Sequence, residues 1–322
     1  MKSWRAVDLQ PWHTLASPAL GRELLQLERP EELVLVDEDD LILGGGSNVI
    51  CWPEVRRRLV QLCFTDREIL AESADSVHLR VGAGLNWAEL VRYCCEQGWY
   101  GLENLAAIPG TVGAAPVQNI GAFGVEVGEL ISQLEVYDRR TKRFFWLGAA
   151  EAQFGYRQSL FKRQRAWWIT RVELVLKRRG PLRKDYDDLA DCPATTPAAM
   201  MAEISARRAA RLPDPKIEPN AGSFFHNVLL DASAANELHR RAPDAPLFPQ
   251  GDRWKVPSAW LIERCGLKGQ RVGRVGISER HALVLTNRGG DGEEILAFAA
   301  LVQAEVAKRF GLSLQIEPEL LR

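Results

Sequence analysis

Three stretches of this 322-residue chain carry residue types suited to binding or chemistry. Gly44-Gly45-Gly46-Ser47-Asn48-Val49 follows a short apolar run at residues 41–43. Three successive glycines permit a tight turn and close approach of a ligand to the backbone, and amides exposed in such a turn can hold a phosphate. The stretch is neither GxGxxG nor a Walker loop, and a plain hairpin or strand–helix turn accounts for it equally well. Residues 101–124, GLENLAAIPGTVGAAPVQNIGAFG, are rich in glycine and other small residues and poor in charge. A surface linker would be more polar; an ordered loop pressed against a flat partner fits better. In Phe154-Gly155-Tyr156-Arg157-Gln158-Ser159 the rigid donor fork of Arg157 can clamp a carboxylate, although a lone arginine is more often a surface ion-pair residue. The five histidines, His13, His78, His226, His239 and His281, lack metal-ligand spacing, and none of the six cysteines sits in a CxxC pair, so no metal is expected.

Elements must hold these stretches in place. Leu79 and Val81 alternate with polar neighbours as in a half-buried strand, then Gly82-Ala83-Gly84 leads into a helix. Trp87, Leu90, Val91, Cys94 and Cys95 recur at helical spacing, Asn86 is placed to cap the start, and Gly98 to stop the end. Strands are expected over residues 130–137 and 168–176, and a helix over 196–210. Leu212-Pro213-Asp214-Pro215-Lys216 must break that helix, and the break is the expected domain boundary. A long helix from about Gly292 buries Ile295, Phe298, Ala299, Val302, Val306 and Phe310, with Asp291 and Glu294 at capping-box spacing. Leu314 and Ile316 suggest a last short strand. Short strands mixed irregularly with helices imply α+β domains.

Hydrophobic residues make up 46% of the chain, charged residues 26%, and the formal net charge is −1. Such a chain can bury sizeable cores, and its balance carries no nucleic-acid footprint. The basic runs at 56–58 and 163–165 read as solvated faces. No apolar run approaches a membrane span, and MKSWRAVDLQPW has no apolar leader core, so a reducing cytoplasm is the expected location.

Taken together, the motifs resemble the UDP-N-acetylenolpyruvoylglucosamine reductases, the flavin reductases of cell-wall precursor synthesis. The resemblance rests on ILGGGSNV (42–49), VGAGLNW (81–87), the whole of 101–124, FGYRQSLFK (154–162) and LPDPK (212–216). NAGSFF (220–225), WLIERCGLKG (260–269), HALVLTN (281–287) and EPEL (317–320) complete an ordered series. It implies an α+β fold: a two-lobed FAD-binding domain of the vanillyl-alcohol-oxidase type over 1–211, a smaller α+β substrate-binding domain over 212–308, and a segment, 309–322, returning to the active site.

The same resemblance implies non-covalent FAD, NADPH as reductant and a UDP-sugar substrate; a monomer is the default expectation, and composition gives no nucleic-acid or membrane partner. Arg157, Ser223 and Glu319 match the catalytic positions. Gly44, Gly45, Gly46, Ser47, Asn48, Val49, Gly110, Thr111, Gly113, Ala114, Asn119, Gly121, Gly124 and Arg208 match cofactor contacts. Tyr186, Arg211 and Asn227 match substrate contacts, and residues 177–191 match the loop that carries the family's tyrosine over the substrate. The chain departs from the family in having Arg211 for a lysine, His226-Asn227-Val228 for Lys-Asn-Pro, and Glu319-Leu320-Leu321 for Glu-Val-Arg. From the residues alone, Ser223 could merely satisfy a turn, and Glu319, two residues from Glu317, could be an exposed acid in a fraying tail. The rivals are another flavoenzyme of the same fold, whose covalent flavin link would want a histidine that 101–124 lacks, and a non-catalytic flavin-binding protein.

Overall fold

The computed structural model describes the backbone of residues 1–322 and every side chain except that of Asp187. The chain folds as two compact units. Unit 1 comprises Met1–Arg5, Glu23–Gly45 and Arg57–Ala210; unit 2 comprises Ala6–Arg22, Gly46–Arg56 and Arg211–Arg322. The C-terminal break falls beside the LPDPK segment, whereas residues 6–22, 46–56 and 309–322 all group with unit 2.

Unit 1 is organised by a five-stranded antiparallel sheet, in the order Arg143–Gly148, Ile131–Asp138, Trp167–Lys177, Ser76–Gly82, Arg67–Glu72. Its central strand, WWITRVELVLK, is nearly continuous in apolar residues because both faces are covered. Ile169, Val172, Leu174 and Leu176 enter the main core with helix α1 (Trp87–Glu96). Trp168 enters a second, smaller core with Leu25, Leu27, Val60, Leu62 and Phe64. There Leu24–Leu27 and Leu59–Leu62 pair in parallel. Asn86 caps α1 by accepting the Glu89 amide at 3.1 Å, Gly98 stands at φ 73° just past its end, and Cys94 and Cys95 are buried.

Helix α2 (Pro197–Arg211) closes unit 1 and runs to the break. In unit 2 an antiparallel sheet runs Asn220–Ser223, Val284–Asn287, Val275–Ile277, Arg271–Val272. A second sheet contains Val228–Leu230, Arg253–Val256 and Phe248–Gln250. Helices α3 (Ala232–Arg241), α4 (Ser258–Arg264) and α5 (Gly292–Phe310) pack with them around one core. The expected capping box of α5 is present, with Asp291 accepting the Glu293 and Glu294 amides.

Two expectations differ from the structure. The last strand is not at Leu314 and Ile316 but at Glu319–Leu321, which pairs in parallel with Val49–Cys51. Ile316 makes only an isolated bridge with Phe225. Of the basic run 56–58, Arg58 is not a solvated face: it turns inward to Asp40, at 2.6 Å, because Asp40 is buried and needs a partner. No helix among the described residues is long and apolar enough to cross a membrane.

Candidate functional site

In unit 1 the 101–124 segment is nailed into the core. Leu102, Leu105, Ala106, Val112, Ala115 and Ile120 are buried, and the Trp87 indole donates to the Leu105 carbonyl at 3.0 Å. Glu103 folds back to accept the Gly101 amide at 2.6 Å, and burial pushes its carboxyl above the ordinary range. The glycine turn meets this segment backbone to backbone: a Cβ on Gly45 would lie 2.9 Å from the Gly110 Cα. Gly44, whose carbonyl accepts from Gln61, lies against Thr111 and Ala114, and the Gly113 amide donates to the Ala83 carbonyl.

Backbone strain collects here. Ala107, Asn119, Phe123 and Arg157 all stand at φ between 47° and 56°, a region unfavourable for residues with a side chain. Asn119 is buried, and its side chain is an internal strut: it donates to Glu126 and to the Gly155 carbonyl and accepts the Gly128 amide. Arg157 is half-buried, donates to the Gly121 carbonyl at 3.2 Å, and lies 5.4 Å over the Tyr156 ring. Gly124, at φ 78°, turns beside Tyr186, whose exposed ring meets Phe123 edge-on at 5.8 Å.

Arg208, on α2, is the residue whose surroundings most clearly lack a counterpart. Its Nε is buried and has no hydrogen-bond partner among the described residues. Burial first, and then the Arg157 charge, push its guanidinium down from the ordinary value. A half-buried cation whose Nε is shut off from water, repelled by a second cation, is costly unless an anion joins it. A nucleotide cofactor carries such an anion, so the residues present fit FAD: Arg208 for a phosphate, and the crossed glycine segments for close backbone approach.

Unit 2 holds Ser223 and Glu319. Ser223 ends the strand Asn220–Ser223, opposite Val284, with its side chain exposed. Gly222, at φ 69°, forms the bulge before it, and the Asn220 side chain accepts the Gly222 amide at 2.8 Å. Phe224 and Phe225 are fully buried and pack edge-on at 5.2 Å, so they anchor the strand end beneath the serine. The Phe224 carbonyl accepts the Glu317 amide at 2.9 Å, and the Asn48 carbonyl accepts the Glu319 amide at 2.9 Å. The tail is therefore laced, not frayed, and it joins the Asn220–Phe225 segment to Ser47-Asn48-Val49. Glu317 is half-buried with its Oε2 3.3 Å from His226 Nδ1, whereas Glu319 is exposed. Asn227 uses its Oδ1 on the Ser258 amide that opens α4, and Arg211 is exposed at the end of α2.

The segment Trp12–Leu15 escapes sequence reasoning. A Cβ on Gly46 would sit 2.0 Å from the Trp12 carbonyl. The Thr14 amide donates to Gly46, the Thr14 carbonyl accepts the Asn220 amide, and Asn287 donates to the Leu15 carbonyl. Polar His13 and Thr14 amid apolar neighbours are the only signal of this role.

A family model described as "UDP-N-acetylenolpyruvoylglucosamine reductase, C-terminal domain" matches residues 214–321, and one described as "FAD binding domain" matches residues 39–143. The UDP-N-acetylenolpyruvoylglucosamine reductase of Bordetella pertussis is 40% identical, over 98% of this chain and 94% of that protein. That of Dechloromonas aromatica is 40% identical over 98% of each. The crystal structure of the Thermus caldophilus reductase superposes with a TM-score of 0.75 at 28% identity, covering 100% of both chains. With relatives of that identity along nearly its whole length, the chain belongs to the UDP-N-acetylenolpyruvoylglucosamine reductase family.

Proposed function

We propose that the chain reduces UDP-N-acetylenolpyruvoylglucosamine to UDP-N-acetylmuramate with NADPH, through non-covalent FAD, as a cytoplasmic monomer. The observation that carries this reading is an exposed serine on a bulged strand end, tied through Phe224 and Glu317 to the strand that presents Glu319. When bound, FAD supplies hydride transfer from NADPH to the methylene carbon of the enolpyruvyl ether. The protein's residues do the rest. Residues 44–49 and 110–124 offer backbone amides to the cofactor, and Arg208 offers its charge to a phosphate.

Arg157 pairs with the substrate carboxylate and stabilises the negative charge that develops there. Ser223 gives its proton to the carbon next to the one that receives hydride, and Glu319 supports that transfer. Tyr186, Arg211 and Asn227 contact the nucleotide-sugar. The domain roles follow: FAD on the portion before the LPDPK break, substrate after it, with the tail serving the active site.

The test is visible absorbance. The purified protein should be yellow, bleach with NADPH and recover its colour when the UDP-sugar is added anaerobically. Acid precipitation should free all the colour. A colourless protein, or colour retained in the pellet, contradicts the reading.

A further inference from the structure

Asn104 lies between Glu103 and the apolar Leu105-Ala106-Ala107, and is only 1% exposed. A buried amide must place its donors, and Asn104 places them on two different segments. Its Nδ2 donates to the Phe123 carbonyl at 2.9 Å and to the Arg183 carbonyl at 3.1 Å. The first acceptor belongs to the strained turn ahead of Gly124. The second belongs to the stretch between the strand Trp167–Lys177 and α2, three residues before Tyr186.

Two more contacts join the same partners. The Arg183 guanidinium pairs with Glu129 at 2.5 Å, and the Tyr186 ring meets Phe123 edge-on. Beyond Tyr186, the Asp188 carbonyl accepts from Arg207 on α2, and Lys184 donates to the Cys192 carbonyl at 2.8 Å. The loop thus has surface anchors and one buried anchor. Exposed ion pairs such as Arg183–Glu129 contribute little, whereas a buried amide that loses its acceptors pays the desolvation of both N–H groups. The buried anchor therefore dominates.

We propose that Asn104 is a positioning residue: one side-chain amide latches the Tyr186 loop to the Phe123 turn, and so fixes where Tyr186 meets substrate. Asn104 itself touches no substrate. The proposal rests on the assignment of Tyr186 to the nucleotide-sugar. Without the latch the loop samples open conformations, and substrate binding must reorder it before Tyr186 makes contact. That cost falls on binding and not on hydride delivery from NADPH.

The test compares wild type with Asn104→Asp and Asn104→Leu, each with FAD bound. Asp keeps the shape but offers the two carbonyls no donor when ionised; Leu keeps the volume and removes polarity. Both variants should bleach with NADPH at a rate within about twofold of wild type. The KM for the UDP-sugar should rise about tenfold, near 1.4 kcal/mol, with a smaller change in kcat. Trypsin should cut after Arg183 or Lys184 several-fold faster than in wild type, a readout that needs no turnover.

An unchanged KM together with an unchanged cleavage rate overturns the latch. Failure of the wild type to use the UDP-sugar would instead count against the proposed function, and the trypsin readout would still decide the latch. Should neither variant fold, the wild type suffices: its loop should be cut at least tenfold more slowly than a free peptide of residues 176–192, and equal rates overturn the proposal.

Discussion

The two units position their candidate chemistry by different means. In unit 1 Arg157 stands in left-handed backbone, as do Asn119 and Phe123, and buried side chains such as Asn119 and Asn104 hold those turns. In unit 2 Ser223 ends a strand bulged at Gly222 and Glu319 begins another, both held by main-chain pairing, with Val284 and Val49. Strained turns place a group where regular structure cannot, at a cost of order 1–3 kcal/mol each. Strand ends place a group at little local cost but depend on a partner far away in sequence. Damage should therefore be local and kinetic in unit 1, and cooperative in unit 2.

The largest expected effect sharpens that contrast. Gly46→Ala adds a Cβ 2.0 Å from the Trp12 carbonyl, at φ 65°. It should destabilise unit 2 by roughly 2–5 kcal/mol, from strain and overpacking together. Urea unfolding followed by tryptophan fluorescence measures this, and a midpoint equal to wild type would remove the Trp12–Leu15 segment from the account.

This case also marks how far the sequence could be read. The glycine triplet is visible, yet its partners are not: Gly45 answers to Gly110, and Gly46 to Trp12, through backbone contacts that leave no pattern. Helices α1 and α5 are legible to their caps, because capping and apolar spacing are local. The strand Glu319–Leu321 is not, since its partner Val49–Cys51 lies at the other end of the chain and three residues carry no period. Arg157 stands out beside its aromatic neighbour as a candidate carboxylate clamp, but its catalytic role and that of Ser223 come from the resemblance; nothing in their neighbours reveals a left-handed φ or a bulge. Asn104, next to Glu103, gives no pattern that marks it, and its two acceptors are 19 and 79 positions away.

Next in size is Arg157→Ala. Alanine still carries a Cβ at this left-handed position and adds no new strain, so the fold should persist while the proposed carboxylate clamp is lost. Reoxidation of the flavin by the UDP-sugar should slow about 10²-fold or more, with bleaching by NADPH nearly unaffected. Equal slowing of both half-reactions in single-turnover traces would break the distinction drawn between local and cooperative damage.

The smallest effect is pH-dependent and differs in sign between the units. Burial pushes the His13 and His281 imidazoles of unit 2 below 6.5. The unfolded chain takes up protons at these sites below about pH 6.5 before the folded chain does. Stability therefore falls as pH drops through that window and is full above it. In unit 1 burial pushes the Glu103 carboxyl above 4.5, so its contribution favours the fold in acid and is lost as pH rises through the folded value. His13→Gln should make the loss between pH 7 and 5.5 shallower, measured as the urea midpoint at each pH. An unchanged slope would assign the acid sensitivity elsewhere.

The central claim is that Ser223, held exposed by the Gly222 bulge and the buried Phe224–Phe225 pair, delivers the proton that completes reduction. Stopped-flow absorbance of Ser223→Ala tests it most directly. The account predicts normal FAD content and normal bleaching by NADPH, with recovery of colour on adding the UDP-sugar slowed by about 10²–10⁴-fold and partly restored in Ser223→Cys. Recovery of colour in the alanine variant at a near-normal rate would contradict it.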